Sequence, residues 1–354
     1  MAPRKRGCLR IVLLLVLALL LLAAVLIGWG WQAQKAFSGQ LLQPRAESVI
    51  IEPGDSFSRV LAKLRAAGID NGRDQQWQLL ARQLDAAGKL KVGEYDLTQP
   101  LTVSELLLRM RNGKVVQHRL TIVEGWNIRQ LRAALARATP LEQTTTELDD
   151  AALMAALGFE GQHPEGRFLP ETYVYQRGDS DLDVLRRAHK AMAQALEQAW
   201  QGRAEGLPLD SPYELLTLAS IIEKETGLAA ERPQIAGVFV RRLKLGMRLQ
   251  TDPTVIYGLG SAYDGNIRKV DLTTDTPYNT YTRSGLTPSP IAMPGRAALE
   301  AAAHPAEGDA LYFVAIGDGS GGHVFSATYA QHQVAVAGYL QRLRQARQSN
   351  ALPQ

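Results

Sequence analysis

The chain has 354 residues and a mass of 38.7 kDa, room for two or three domains, and its 46% hydrophobic and 21% charged residues exclude collagen-like, coiled-coil and extensively disordered architectures. Its net charge of +4 sits at the N-terminus: Arg4, Lys5, Arg6 and Arg10 carry it, and beyond Gly30 the chain has 35 basic and 35 acidic residues. That balance is the wrong footprint for a phosphate binder, so no nucleic-acid partner is expected.

Residues 1–10 read as a basic cytoplasmic tail. Ile11 to Gly30 is a 20-residue run without a charge, which at about 1.5 Å per residue spans about 30 Å, the thickness of a hydrocarbon core. The basic cluster before it and Trp29 and Trp31 at its far end orient a single transmembrane helix over 11–30 with the N-terminus inside and residues 32–354 outside. A cleaved signal peptide is the alternative, although its apolar stretch is usually about 7 to 15 residues and no clean small-residue cleavage site follows Trp31. The lone Cys8 precedes the apolar run, so the exported part has no thiol, no disulfide and no cysteine metal site.

Residues 31–47 read as a polar linker. Ser48 to Glu52 is a β-branched strand cut by Pro53-Gly54-Asp55. Phe57, Val60, Leu61 and Leu64 then follow at helical spacing until Gly68. A helix over Trp77–Leu84, a strand over Gly93–Leu97, and a helix opened by the Thr102/Glu105 capping box and ended by Asn112-Gly113 come next. Val115–Val123 is strand-like and leads to a helix ending near Ala136, and Leu148–Leu157 is a short helix. Ser211, Pro212 and Glu214 make an N-cap, a first-turn proline and an N3 acid, and Leu215 to Ile222 is apolar on every face, a pattern of a buried helix.

Into that helix the sequence places Glu223. A carboxyl group there is costly unless paired or protonated, and desolvation raises its pKa toward the range of a general acid; a salt-bridged structural glutamate satisfies the same pattern. Glu225, two residues on and about 200° around the helix, is expected to face another way, which leaves one catalytic carboxylate rather than a dyad. After Gly246, a helix C-cap, Gln250, Thr251 and Asp252 form a polar cluster, and Tyr278, Asn279 and Tyr281 offer an amide and phenol rings to a sugar. Ordinary turn chemistry explains these strings equally well. The Gly317–Gly322 string lies between two strand-like runs and reads as a hairpin turn, not a dinucleotide loop. The six histidines lack paired metal spacing.

The strings Leu218–Thr226 (LASIIEKET), Met247–Tyr257 (MRLQTDPTVIY), Tyr278–Tyr281 (YNTY), Glu165-Gly166 with Pro170–Tyr173, and Gly322-His323 with Phe325 and His332 resemble, in order, the endolytic murein transglycosylase (MltG or YceG-like) family. Arg241 and Thr287 depart from its pattern, where asparagine and a second proline are usual. The 48–70 stretch also resembles half of a LysM-type glycan-binding module, with a plain structural spacer as the alternative. The resemblance implies an α+β protein: a transmembrane helix, a LysM-like subdomain over 48–120, a mixed α+β catalytic domain over 121–345 and a tail over 346–354. It implies an inner-membrane, periplasm-facing lyase that cuts the MurNAc-β-1,4-GlcNAc bond within peptidoglycan strands, leaves 1,6-anhydroMurNAc ends and terminates strand elongation. Glu223 falls on the family's catalytic glutamate; Gln250, Thr251, Asp252, Asn279 and Tyr281 become substrate contacts. No cofactor or metal is implied, and peptidoglycan synthases are the candidate protein partners. The rivals are a lysozyme-type hydrolase, which needs a second carboxylate from Asp252, Asp271 or Asp275, and a non-catalytic glycan-binding scaffold.

Overall fold

The computed structural model describes the backbone of residues 5–350 and the side chains of residues 10–345. Of the two expected tails, residues 1–4 and 351–354 lie outside the described residues. The fold is mixed α+β, and the chain divides into two compact units, one running to His118 with Gln176–Gly178 added, the other formed by Arg119–Tyr175 and the chain from Asp179 onward.

The first unit begins with α1 (Lys5–Ser38), in which Arg10–Ser38 is long and apolar enough to cross a membrane, with leucine, valine and isoleucine side chains exposed along it. The helix runs farther than the apolar stretch. The linker expected over 31–47 is helical to Ser38, because Gln34 and Phe37 are buried: Phe37 meets Trp77 edge-on at 5.7 Å, and the Gln34 amide donates to the Gln76 carbonyl at 3.1 Å. Two buried anchors on one face extend the helix past the point where hydropathy alone stops it.

Beyond it, β1 (Ser48–Ile51) and β2 (Gly93–Asp96) pair antiparallel, Val49 opposite Tyr95, and α2 (Phe57–Ala66) and α3 (Asp74–Gln83) lie between them in sequence. α4 (Val103–Asn112) follows, opened by the capping box in which the Thr102 amide donates to Glu105 at 2.8 Å and ended by Gly113 at φ +68°. Val60, Leu61, Leu64, Trp77, Leu80, Leu106, Leu107 and Met110 join Val49, Ile51 and Tyr95 in one core. Alternate strand residues and one stripe of each helix thus bury against each other, as their periodicities require.

In the second unit β3 (His118–Thr121) pairs with β4 (Thr172–Tyr175), and α5 (Ile128–Arg137) and α6 (Asp150–Leu157) pack under them. A helical layer follows: α7 (Asp181–Gly202), α8 (Pro212–Glu225), α9 (Arg232–Lys244), α10 (Asp252–Leu259), the short α11 (Lys269–Thr273) and α12 (Arg296–Ala303). α8 is the centre of this layer. Every residue from Leu215 to Glu223 is buried, against α7, α9 and α12, and Ala298, Ala301 and Ala302 let α12 approach closely. The hairpin of β5 (Tyr312–Ala315) and β6 (His323–Ser326) is joined by the Gly317–Gly322 string, and α13 (Tyr329–Asn350) packs on it.

Candidate functional site

The two glutamates at the end of α8 have opposite surroundings. Glu223 Oε1 accepts from Arg232 Nη2 at 3.1 Å and Oε2 accepts from the Gly295 amide at 2.9 Å, and its side chain is 4% exposed. Arg232 also lies 3.6 Å from Glu124. Burial raises the Glu223 pKa, while the Gly295 amide and the Arg232 charge oppose that push. A Cβ at Gly295 would overlap the Glu124 carboxylate and displace that side chain. The same segment is tied to α8 a second time, through Ser220 Oγ accepting from the Ile291 amide at 3.0 Å. Both oxygens of Glu223 are engaged, and it belongs to the clamp that holds Ile291–Gly295 on α8.

Glu225 opens on a cavity of about 410 Å³. One of its oxygens accepts from Thr251 Oγ1, and the other has no donor among the described residues. Burial lifts its pKa to about 7, Asp252's charge adding to the push and His323 and Arg242 opposing it. Thus the carboxyl that the helical spacing turned away from Glu223 is the one set among the expected substrate residues: Gln250, Thr251, Asp252 and Tyr281 line the same cavity, with Arg242 beside them. Geometry agrees with the 200° separation. What it reverses is which side of the helix carries the polar cluster.

The cluster is placed by a strap. Gly246, at φ +67°, ends α9 and turns the chain back; the Gln250 amide then donates to the Thr280 carbonyl at 3.2 Å, and the Thr251 amide to Thr280 Oγ1 at 3.1 Å. Gln250 itself sits at φ +53°, a left-handed conformation that costs a non-glycine residue, and its side-chain amide is exposed without a partner among the described residues. Tyr281 donates to Asp252 Oδ1 at 2.5 Å. Arg242 stands between the cavity and the core, its guanidinium donating to the carbonyls of Leu311 at 2.6 Å, Leu249 at 2.8 Å and Arg248 at 3.2 Å.

Asn279 is the expected substrate residue that lies apart from the cavity. It is 1% exposed, its Nδ2 donates to the carbonyls of Asp271, Leu272 and Thr274, and its Oδ1 accepts from the Tyr281 amide at 2.9 Å. A side-chain amide that can both donate and accept is suited to pinning a loop, and this one is fully engaged in doing so. Of the second carboxylates considered, Asp252 alone lines the cavity; Asp271 caps α11 and Asp275 binds Arg283 on the surface. The departures Arg241 and Thr287 also lie outside the lining, with Arg241 holding the Ala306 and Ala310 carbonyls and Thr287 bonding the Ser289 carbonyl.

Two groups that enter the sequence reading only within the family-like strings, with no role of their own, are tightly held in the structure. Glu165 is wholly buried, accepts from the first amide of α5, Ile128, at 3.1 Å and from Tyr257 at 3.1 Å, and is pushed up to about 7 by burial. Its sequence signal is its place in the Glu165-Gly166 string. His323 Nδ1 lies 2.7 Å from Glu231 Oε2, which fixes the short turn leading to Arg232 and so reaches the Glu223 clamp from β6. Nothing in the local pattern pairs residues 92 positions apart.

Comparison with known proteins adds three findings. The model of the YceG-like family matches residues 49–338. The endolytic murein transglycosylase of Bacillus subtilis (strain 168) is 32% identical over 310 residues, covering 83% of this chain and 84% of that protein; the protein of the same name from Streptococcus pneumoniae serotype 2 is 28% identical over 278 residues, covering 69% of this chain and 49% of that protein. A crystal structure of a yceG-like protein from Listeria monocytogenes superposes with a TM-score of 0.53 at 29% identity, over 81% of this chain and 97% of that one.

Proposed function

The chain belongs to the YceG-like family, and on that footing we propose that it is a membrane-anchored lytic transglycosylase that cleaves peptidoglycan strands internally, with Glu225 as its acid and base. The observation that carries the assignment is the Glu225 carboxyl, poised at about 7 and opening on a cavity beside Thr251, Asp252, Tyr281 and Gln250. At neutral pH such a group is present in both forms, the condition for donating a proton and taking one back in a single cycle. Protonated Glu225 gives its proton to the glycosidic oxygen of the MurNAc-β-1,4-GlcNAc bond. As carboxylate it then takes the proton of the MurNAc C6 hydroxyl, which attacks its own anomeric carbon and closes the 1,6-anhydro ring. The nucleophile is part of the substrate, so its effective molarity takes the place of an activated water and no second carboxylate is required. Glu223, where the family resemblance had set the acid, holds the Arg232–Gly295 clamp in this reading.

The anchor α1 carries the basic cluster on its N-terminal side, which supports an N-terminus in the cytoplasm and a cleavage unit in the periplasm. β1, α2, α3 and β2 close on one core, which supports reading the stretch that resembles half a LysM module as part of one folded unit. Internal cuts would end strand elongation, which makes peptidoglycan synthases the expected partners.

One observation favours a second reading. Asp252 lines the cavity with Glu225, the arrangement a lysozyme-type hydrolase needs. Digestion of purified sacculi followed by mass spectrometry separates the two: the transglycosylase releases 1,6-anhydro muropeptides, one water lighter than the hydrolytic products. Exclusively hydrated products would transfer the site to the hydrolase, and no products at all would leave a glycan-binding scaffold.

A further inference from the structure

The part of the Glu225 cavity built by the C-terminal hairpin and α13 has no role in the chemistry above. Tyr312, Phe313, Tyr329 and His332 line it. Tyr312 is held in place: the Arg242 guanidinium is 5.1 Å from its ring centroid, and the His332 ring stacks on it at 5.2 Å and 21°. Tyr329 stands at 5.9 Å from Tyr312, tilted by 56°, and is 59% exposed, the most open ring of the group. His332 Nδ1 is buried and makes no hydrogen bond among the described residues, and its burial and the Arg242 charge lower its pKa, favouring the neutral ring that can donate or accept. An aromatic corner with an orphaned ring nitrogen beside it is what the C–H face and one polar substituent of a pyranose require. The occupant is a neutral ring rather than an ion, because the Arg242 guanidinium and the Glu225 and Asp252 carboxyl groups share the lining and present no single charge to match. It is a sugar rather than an apolar group, because Gln250 also presents an unpartnered amide to the cavity.

We infer that Tyr312, Tyr329 and His332 form a saccharide subsite, in which an N-acetylhexosamine ring adjoining the scissile bond stacks on Tyr329 and bonds His332. This rests on the reading of the cavity as the site of glycan cleavage. It assigns to the hairpin and α13 the work of gripping the strand, and it makes Tyr329 and His332 binding residues rather than acids or bases.

The test uses the full-length protein in detergent, carrying Glu223→Gln and Glu225→Gln together so that the probe is not consumed whichever glutamate is the acid. Calorimetry then measures binding of the soluble tetrasaccharide of alternating GlcNAc and MurNAc without stem peptides. Tyr329→Ala and His332→Ala should each weaken binding by about tenfold, the scale of one lost stacking or hydrogen-bonding contact, while Tyr329→Phe retains the affinity. Tyr329 is exposed, so its truncation leaves the fold intact, and the Phe variant separates stacking from structural damage. Unchanged affinity in Tyr329→Ala, no saturable binding by the parent, or binding only when stem peptides are attached would each overturn the subsite. None of these depends on which glutamate is the acid: that reading fails separately, if Glu225→Gln still releases 1,6-anhydro products.

Discussion

Glu223 and Glu225 are the same residue type, two positions apart on one helix, and each is desolvated enough to raise its pKa. Glu223 meets a guanidinium and a backbone amide, has both oxygens engaged and is sealed. Glu225 meets one hydroxyl, keeps an oxygen without a donor among the described residues and faces a cavity. Burial alone therefore does not make a general acid. A proton that is to be transferred needs an open path to substrate, and a carboxyl held by a full set of partners has none. In the function proposed above, the full pairing of Glu223 goes with a structural role and the incomplete pairing of Glu225 with a catalytic one.

The contrast can be broken by experiment. The largest stability effect should come from Glu223→Ala, which leaves Arg232 buried with only the more distant Glu124: a loss of about 3 kcal/mol in urea unfolding, the cost of orphaning one member of a buried pair. Unchanged stability would remove Glu223 from the clamp.

Glu225 should act in the opposite sense. Its folded pKa of about 7 lies above the ordinary 4.5, so the folded state holds the proton more tightly than the unfolded one. That contribution is fully present below about pH 4.5 and is lost as pH rises through 7, and Glu165 titrates in the same direction. Glu225→Gln removes the charge that forms, so it should stabilise the protein at pH 8 by about 2 kcal/mol, reduced from the full shift by cavity water, and leave it unchanged at pH 4. A thermal-shift series across that range reads the difference. A gain independent of pH would show that Glu225 is not the group titrating.

Asn279→Ala should cost about 1.5 kcal/mol of stability with KM almost unmoved, since its bonds go to loop carbonyls. A raised KM with normal stability would return it to the substrate contacts. Gln250→Ala, at an exposed position, should leave Tm unchanged and lower kcat/KM by about fivefold, roughly 1 kcal/mol; equal kinetics would mean that its strained backbone serves the turn alone.

Much of this was legible in the sequence. The Thr102/Glu105 box, the Ser211-Pro212 start of α8, the all-round apolar run to Ile222 and the hairpin at Gly317–Gly322 are local signals, and local physics decides them. The extension of α1 to Ser38 was not, because it depends on Phe37 finding Trp77, forty residues away. The same holds at the site. Helical spacing separates Glu223 from Glu225 by direction but cannot tell which direction leads to Gln250–Asp252. That is fixed by Gly246 turning the chain and by Thr280 strapping it in place. Asn279 is ambiguous for a related reason: an amide in a Tyr-Asn-Thr turn can face substrate or its own loop, and here it bonds three carbonyls brought by α11 and the turn after it.

The most direct test places Glu223→Gln and Glu225→Gln side by side on purified sacculi, both at full length and matched for folded protein, with release of 1,6-anhydro muropeptides read by mass spectrometry. Glu225→Gln should lose at least the roughly 10²- to 10⁴-fold that a positioned acid and base supplies, while Glu223→Gln, which keeps one of the two acceptor oxygens that Arg232 and Gly295 use, should stay within about tenfold of the parent. A folded Glu223→Gln protein without activity, beside a Glu225→Gln protein releasing anhydro products at the parent rate, would contradict the assignment and move the acid to the other side of α8.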